Sequence, residues 1–156
     1  MRFRKSSRHS RITGDFGETL VLYLLSKTGF ECARVDHTGI DLIARRPDSR
    51  EVMGISVKSR SRSESAEGTS INIQKDDIVK AQEACKAFGC KPYFAMVVDE
   101  KGLIRVFLLS VRHLLRLRPG GAKVSSWAMS DKELQRYRDN KNVKWIELGM
   151  HEGRWW

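Results

Sequence analysis

The sharpest alternation of apolar and polar positions runs from Thr38 to Arg45 and again from Val52 to Lys58. In an extended chain Ile40, Leu42 and Ala44 fall on one face, and Asp41, Ile43 and Arg45 fall on the other. In the second segment Met53, Ile55 and Val57 make the apolar set, with Val52, Gly54, Ser56 and Lys58 opposite. Pro47-Asp48-Ser49-Arg50 lies between the two segments and carries turn chemistry. An antiparallel hairpin closed on that turn sets Arg46 against Glu51. Counting back places Asp41 directly across from Ser56, with Lys58 next on the same face. An acid and an amine thus share one side of a two-stranded ribbon whose other side is core. This is the candidate active site.

The flanking pattern predicts the remaining elements. Asp15-Phe16-Gly17-Glu18 has capping-box spacing, so a helix should begin near Asp15 and end around Thr28-Gly29. Phe16, Leu20, Val21, Leu22, Leu24 and Leu25 cover most of its circumference, which implies burial on more than one side. Glu18 shares a side with Val21, Leu22 and Leu25; it either caps its own helix or points into a polar pocket. Phe30 to Val35 reads as a strand. Ser59 to Ser70 reads as a loop rich in serine and charge, where Arg60 and Arg62 could bind phosphates. Ile71 to Ile73 adds a short strand, followed by an amphipathic helix from Lys75 to Phe88 with Ile78, Ala81, Cys85 and Phe88 at core spacing and Gly89 as its stop.

Tyr93 to Val98 and Leu103 to Leu109 are two more strands, joined through Asp99-Glu-Lys-Gly as a tight hairpin. Ser110 caps a short helix, Val111 to Leu117, that carries Arg112 and Arg116. Beyond Arg118-Pro-Gly-Gly, Ser130 opens a polar helix to about Asp139, and Val143 to Leu148 forms a last strand. The two indoles Trp155 and Trp156 end the chain, placed to stack on bases or to pack on the body or a second subunit.

Composition changes this picture in one respect. The chain of 156 residues is long enough for one domain with a real core. Its formal charge of +10 points to a polyanion partner, nucleic acid before any other. Residues 1–12, with Arg8 and Arg11 among serines, read as a basic arm, either solvated or laid along phosphates. The three cysteines lack CxxC spacing, which suggests neither a disulfide framework nor a zinc site and fits a reducing cytoplasm. No apolar stretch is long enough to span a bilayer, so a membrane role is not expected. His9, His113 and His151 share no metal-ligand spacing.

The order helix, three strands, helix, two strands, with carboxylates at Glu18 and Asp41 and an amine at Lys58, resembles the PD-(D/E)XK nuclease superfamily. The likeness is to its Holliday junction resolvase and Mrr-like branches. It rests on Gly17-Glu18, on Gly39-Ile40-Asp41-Leu42-Ile43 and on Ser56-Val57-Lys58-Ser59-Arg60, and it covers roughly residues 13 to 110. It implies an α/β fold with a restriction-endonuclease-like αβββαβ core and a mixed central sheet flanked by helices, to which the chain's own pattern adds a C-terminal helix-strand extension outside the likeness. The expected divisions are a basic arm (1–12), a nuclease-like core (13–117) and an extension packed on that core (118–156).

For the site the resemblance implies Mg²⁺ or Mn²⁺ held by Asp41 and Glu18, with Lys58 beside the scissile phosphate. Ser56 stands where the superfamily usually has a second acid; Asp36, Asp76 and Asp77 are the nearest carboxylates that could replace it. DNA contacts are expected at Arg8, Arg11, Arg45, Arg60, Arg62 and His37. A homodimer follows from the same likeness, because two strands must be cut. The expected activity is phosphodiester hydrolysis in DNA by a cytoplasmic, metal-dependent endonuclease. The alternatives are a nuclease-fold protein that binds nucleic acid without cutting it, and a basic subunit of an RNA-associated assembly.

Overall fold

Val52–Ser61 forms β3, the strand against which the rest of the molecule is assembled. The computed structural model describes residues 5–62, 70–120, 123–151 and 153. Before β3 come α1 (His9–Lys27), β1 (Glu31–Arg34) and β2 (Leu42–Arg45). After it come β4 (Ser70–Gln74), α2 (Lys75–Phe88), β5 (Lys91–Glu100), β6 (Leu103–Ser110), α3 (Val111–Leu117), β7 (Val124–Ala128), α4 (Asp131–Arg138) and β8 (Lys144–Gly149). The main sheet has the order β1-β2-β3-β5-β6-β8, and β4 pairs with β7 in a second, two-stranded sheet. In the main sheet β3 and β5 run parallel, and the other neighbours are antiparallel. A parallel pair needs a crossover, which α2 supplies.

Both faces of the sheet are covered, so β5 reads as a continuous apolar run rather than an alternation. Ala95 and Val97 join Val21 and Leu25 of α1 in one cluster, together with Leu42, Ala44, Met53 and Ile55. Phe94, Met96 and Val98 face the other way, into a cluster with Ile78 and Ala81 of α2, Phe107, Trp127 and Tyr137. The larger aliphatic and Phe side chains among them each contribute about 1.5–3 kcal/mol on full burial. Among the described residues no helix is long and apolar enough to cross a membrane.

The central hairpin has the register the alternation predicts. Leu42 pairs with Ile55 and Arg45 with Val52, which sets Asp41 across from Ser56. The Asp41 N–H donates to the Ile55 carbonyl at 2.8 Å. α2 and α3 have the predicted bounds. The hydroxyls of Ser110 and Ser130 accept N–H bonds from His113 and Glu133 at the starts of α3 and α4. Lys101 (φ 53°) and Gly102 (φ 70°) make the two-residue turn between β5 and β6.

Several expectations are corrected. α1 starts at His9 rather than near Asp15, so residues 9–12 are helical. Asp15 lies inside the helix, where its carbonyl accepts the Thr19 hydroxyl. The first turns of α1 lie beside the end of β3, and Lys5 Nζ donates to the Ser61 carbonyl at 2.6 Å. Their polar exposed surface hides them from a search for apolar periodicity. Ile40 precedes β2 and turns to the α2 side, where it packs with Ala84 and Cys85 rather than with Leu42 and Ala44. Phe88 is 52% exposed instead of joining the core. Ser59 to Ser61 belong to β3, not to a loop. β7 was not anticipated: it pairs Trp127 with Ile71 and stacks the indole on Tyr137, ring centres 3.8 Å apart. Trp155 and Trp156 lie outside the described residues, as do residues 63–69 of the serine-rich segment.

Candidate active site

Two glycines set how closely the acidic residues approach β3. A Cβ on Gly39 would overlap the Lys80 carbonyl oxygen of α2 and come 2.9 Å from the Ala84 Cβ. The backbone leading into Asp41 therefore lies directly on α2, an approach that only glycine permits. A Cβ on Gly17 would overlap the Ser59 hydroxyl and come 2.9 Å from the Ser59 Cβ. That contact lays the start of Glu18 against β3, one residue beyond Lys58.

The Asp41 carboxylate accepts the Val57 N–H through Oδ2 at 2.6 Å. Burial raises its pKa above the ordinary carboxylate range; the Val57 bond and the Lys58 charge oppose that rise, and the charge of Asp77 adds to it. Glu18 is raised as well, first by burial and then by the negative charge of Asp41, against the pull of Arg34. Arg34 Nη1 stands 3.8 Å from Glu18 Oε2. Lys58 Nζ lies 3.0 Å from Asp77 Oδ2, with 23% and 31% of the two side chains exposed. Ser56, 8% exposed, occupies the strand position across from Asp41. Side chains from α1, the entry to β2, β3 and the first turn of α2 therefore act on one another at one place. Both acids are held in a state where ionisation is costly, and a lysine is anchored among them.

The cationic residues divide by location. A cavity of about 340 Å³ opens between the start of α1 and the end of β3, lined by Lys5, His9, Ser59 and Arg60 among others. Arg8, just before α1, and Arg11, in its first turn, are exposed beside it. Arg45 is exposed at the far end of β2, where it donates to the Ser49 carbonyl at 3.4 Å. His37 is not drawn into the cluster. Its Nδ1 accepts the Gly39 N–H at 3.2 Å, and its ring meets Phe88 edge-on at 5.4 Å. Phe88 ends α2 whereas Asp77 lies in the first turn, about 16 Å away along the helix. Arg62 is turned inward rather than offered to a ligand: 8% exposed, it donates to the Ser70 carbonyl at 2.5 Å and stands 3.9 Å from Glu100.

Sequence reasoning named Asp77 only as one of three nearby acids, and the ion pair with Lys58 singles it out. Asp36 and Asp76 are exposed. Arg34 was missed; its signal was its place at the end of β1, opposite Leu42.

Among the described residues no three His, Cys, Asp or Glu side chains close around a point suited to a metal ion. Asp41 and Glu18 nonetheless offer hard oxygen donors, and Mg²⁺ needs only one or two carboxylates beside its waters. Their mutual repulsion is also what a divalent cation would relieve. The donor set fits such an ion.

No protein-family model matches the chain. No curated protein matches it either. Among solved structures it is similar to Hjc, a Holliday junction resolvase from the archaeal hyperthermophile Archaeoglobus fulgidus, with a TM-score of 0.57 and 18% identity over 79% of this chain and 88% of that one. At that level of similarity the two share a fold, and the mixed sheet of this chain, covered by helices, is restriction-endonuclease-like.

Proposed function

We propose that the chain is a metal-dependent endonuclease that hydrolyses phosphodiester bonds in DNA, of the kind to which the resolvase it resembles belongs. One observation carries the reading: Asp41, bonded to the Val57 N–H of β3, feels the charges of Lys58 and Asp77, which pair at 3.0 Å, and its own charge acts on Glu18, so groups from four separate elements converge at a single place on β3. Asp41 and Glu18 would hold a Mg²⁺ or Mn²⁺ ion. When bound, such an ion polarises a phosphoryl oxygen and lowers the pKa of its water. Lys58 presents a fixed positive charge where the oxygens of the pentacoordinate transition state gain negative charge, and an incoming phosphate competes with Asp77 for that ammonium. Asp77 supplies the second acid that Ser56 does not, and its ion pair orients Lys58 before substrate arrives. Arg8, Arg11 and Arg60 lie along the start of α1 and the end of β3, where a strand leaving the site would meet them. Arg45 is left for a more distant phosphate. Two active sites, and hence a homodimer, would be needed to cut both strands.

A second reading has its own support. Ser56 is a neutral donor at the usual acidic position, and the described carboxylates do not close into a three-ligand nest. A chain of that kind would bind DNA in a salt-dependent way without cutting it.

The two readings separate when the purified chain is incubated with four-way junction, linear duplex and single-stranded DNA in the presence of Mg²⁺ or Mn²⁺. The endonuclease reading expects cleavage that EDTA abolishes. Asp41→Ala and Lys58→Ala should each lower the rate on the order of 10²-fold or more. Asp77→Ala should lose about as much as Asp41→Ala, whereas Asp76→Ala should lose little. Salt-sensitive binding with no cleavage that depends on Asp41 and Lys58 overturns the endonuclease reading and establishes the second.

A further inference from the structure

A larger cavity, about 650 Å³, lies at the other end of β3 and takes no part in the site described above. Met53 is in its wall, five residues before Lys58, so the two places are about 17 Å apart at ~3.3 Å per strand residue. Its floor is apolar and aromatic, made by Phe30, Met53, Tyr93 and Leu108. Its rim is cationic, with Arg46, Lys91, Arg112, Lys141 and Lys144. Glu51 is the single acid in the lining, and both of its oxygens are taken. Tyr93 donates its hydroxyl to one at 2.6 Å, and Lys91 bonds the other.

The rim cations differ in what they already hold. Arg46 is paired with Asp48 and Lys91 with Glu51. Among the described residues Arg112, Lys141 and Lys144 have no carboxylate partner, and Lys144 donates only to the Lys141 carbonyl at 3.5 Å. Three uncompensated cations beside one neutralised acid make this rim attractive to an anion. The floor adds a requirement that phosphate alone does not meet. Phe30 and Tyr93 are aromatic, and the Arg46 guanidinium stands 6.0 Å from the centre of the Phe30 ring. A base fits such a surface by stacking, with arginine reinforcing it. The volume lies within the range of small-ligand sites.

We infer that this cavity is a second nucleotide site, which holds the base of one monophosphorylated nucleotide on the Phe30–Tyr93 floor and its phosphate among Arg112, Lys141 and Lys144. The nucleotide is either free or one unit of a DNA strand, and the chemistry of recognition is common to both. The site stands whether or not the chain cuts DNA.

Isothermal titration calorimetry of the full chain without divalent ions tests it, with dAMP, deoxyadenosine, inorganic phosphate and a 5′-phosphorylated single-stranded hexamer as probes. dAMP is expected to saturate one site, with deoxyadenosine and phosphate each bound at least about tenfold more weakly, because each offers half of the recognised chemistry. Arg112→Ala combined with Lys144→Ala should weaken dAMP by about tenfold or more without moving the melting temperature, since both residues are exposed. Asp41→Ala should leave dAMP binding unchanged. A hexamer bound at least about tenfold more tightly than dAMP, and weakened by the same double substitution, identifies the occupant as a nucleotide of a strand; equal binding identifies it as free nucleotide. No saturable dAMP binding, phosphate bound as tightly as dAMP, binding insensitive to the double substitution, or binding lost with Asp41→Ala would each overturn the assignment.

Discussion

Glu51 just before β3 and Asp41 beside its middle are both carboxylates with a lysine close by, and their surroundings act on them in opposite directions. Glu51 receives hydrogen bonds from Lys91 and Tyr93, which hold its carboxyl below the ordinary range. Asp41 is raised by burial, and one backbone N–H together with Lys58 only partly offsets that. Lys91 is given wholly to Glu51, whereas Lys58 pairs with Asp77, a different acid from the one it sits beside. The far end of the strand thus carries a settled ion pair of the structural kind. The near end carries charge whose stabilisation is left incomplete, the condition of groups that meet a ligand.

The steepest test of this contrast is Gly39→Ala. The added methyl group would be driven into the Lys80 carbonyl, a backbone atom that cannot swing aside. Overpacking of that kind costs about 3 kcal/mol, or roughly 10 °C of melting temperature for a chain this size. Because the same backbone delivers Asp41 to β3, DNA cleavage should fall further than stability at a temperature where the variant is folded. A variant that melts like the wild type would show that the loop has room and that Asp41 is not held in place from α2.

The Gly39 contact also shows which parts of the site were legible in the chain. The β2–β3 register, which sets Asp41 across from Ser56, was legible because strand alternation and one turn signal fix a hairpin without further information. Residues 75–88 were legible because an apolar stripe and a left-handed Gly89 mark a helix and its end. Asp77 was not, because its pairing with Lys58 depends on how far the β3-to-β5 crossover advances α2 along the sheet, which no local pattern encodes. The same holds for β7, whose partner β4 lies some fifty residues away in sequence. The start of α1 was lost for a different reason: its first turns are stabilised beside the end of β3, not by a stripe or a cap of their own. His37 and Arg62 were assigned by proximity in sequence, and the fold turned one toward Phe88 and the other toward Glu100.

Glu51→Gln and Asp41→Asn test the comparison with opposite signs. Glu51 is lowered in the folded chain, so its contribution is present above the ordinary carboxylate range and is lost as pH falls through its depressed value. Its side chain is 31% exposed, which limits the effect. Glu51→Gln should cost about 1 kcal/mol at pH 7 by denaturant unfolding, and the difference from wild type should shrink on acidification. Asp41 is raised, so the folded chain holds that proton more tightly than the unfolded chain and loses the advantage as pH rises through the raised value. Asp41→Asn should therefore stabilise the protein at pH 7, by about 0.5–1 kcal/mol, while abolishing cleavage. That gain should fade below the ordinary carboxylate range. Two variants that shift stability in the same direction at pH 7 would break the contrast between the ends of β3.

The smallest effect is expected from Asp48→Asn in the turn between β2 and β3. Arg46 bonds both oxygens of Asp48, a geometry that in a buried setting would rank among the strongest pairs. Here the two side chains are 56% and 65% exposed, so water and salt screen the attraction and the loss of side-chain freedom offsets much of the rest. The substitution should leave the melting temperature unchanged, in contrast to Glu51→Gln only a few residues away. Its consequence should appear in binding instead. Arg46 lines the basic cavity, and once released from Asp48 it adds a further uncompensated cation to the rim. Asp48→Asn should tighten dAMP by a few-fold at low salt, and the gain should vanish as ionic strength rises past the point where the screening length falls below about 8 Å. A drop in melting temperature comparable to that of Glu51→Gln would mean that the turn, and not the Glu51 cluster, secures the far end of the strand.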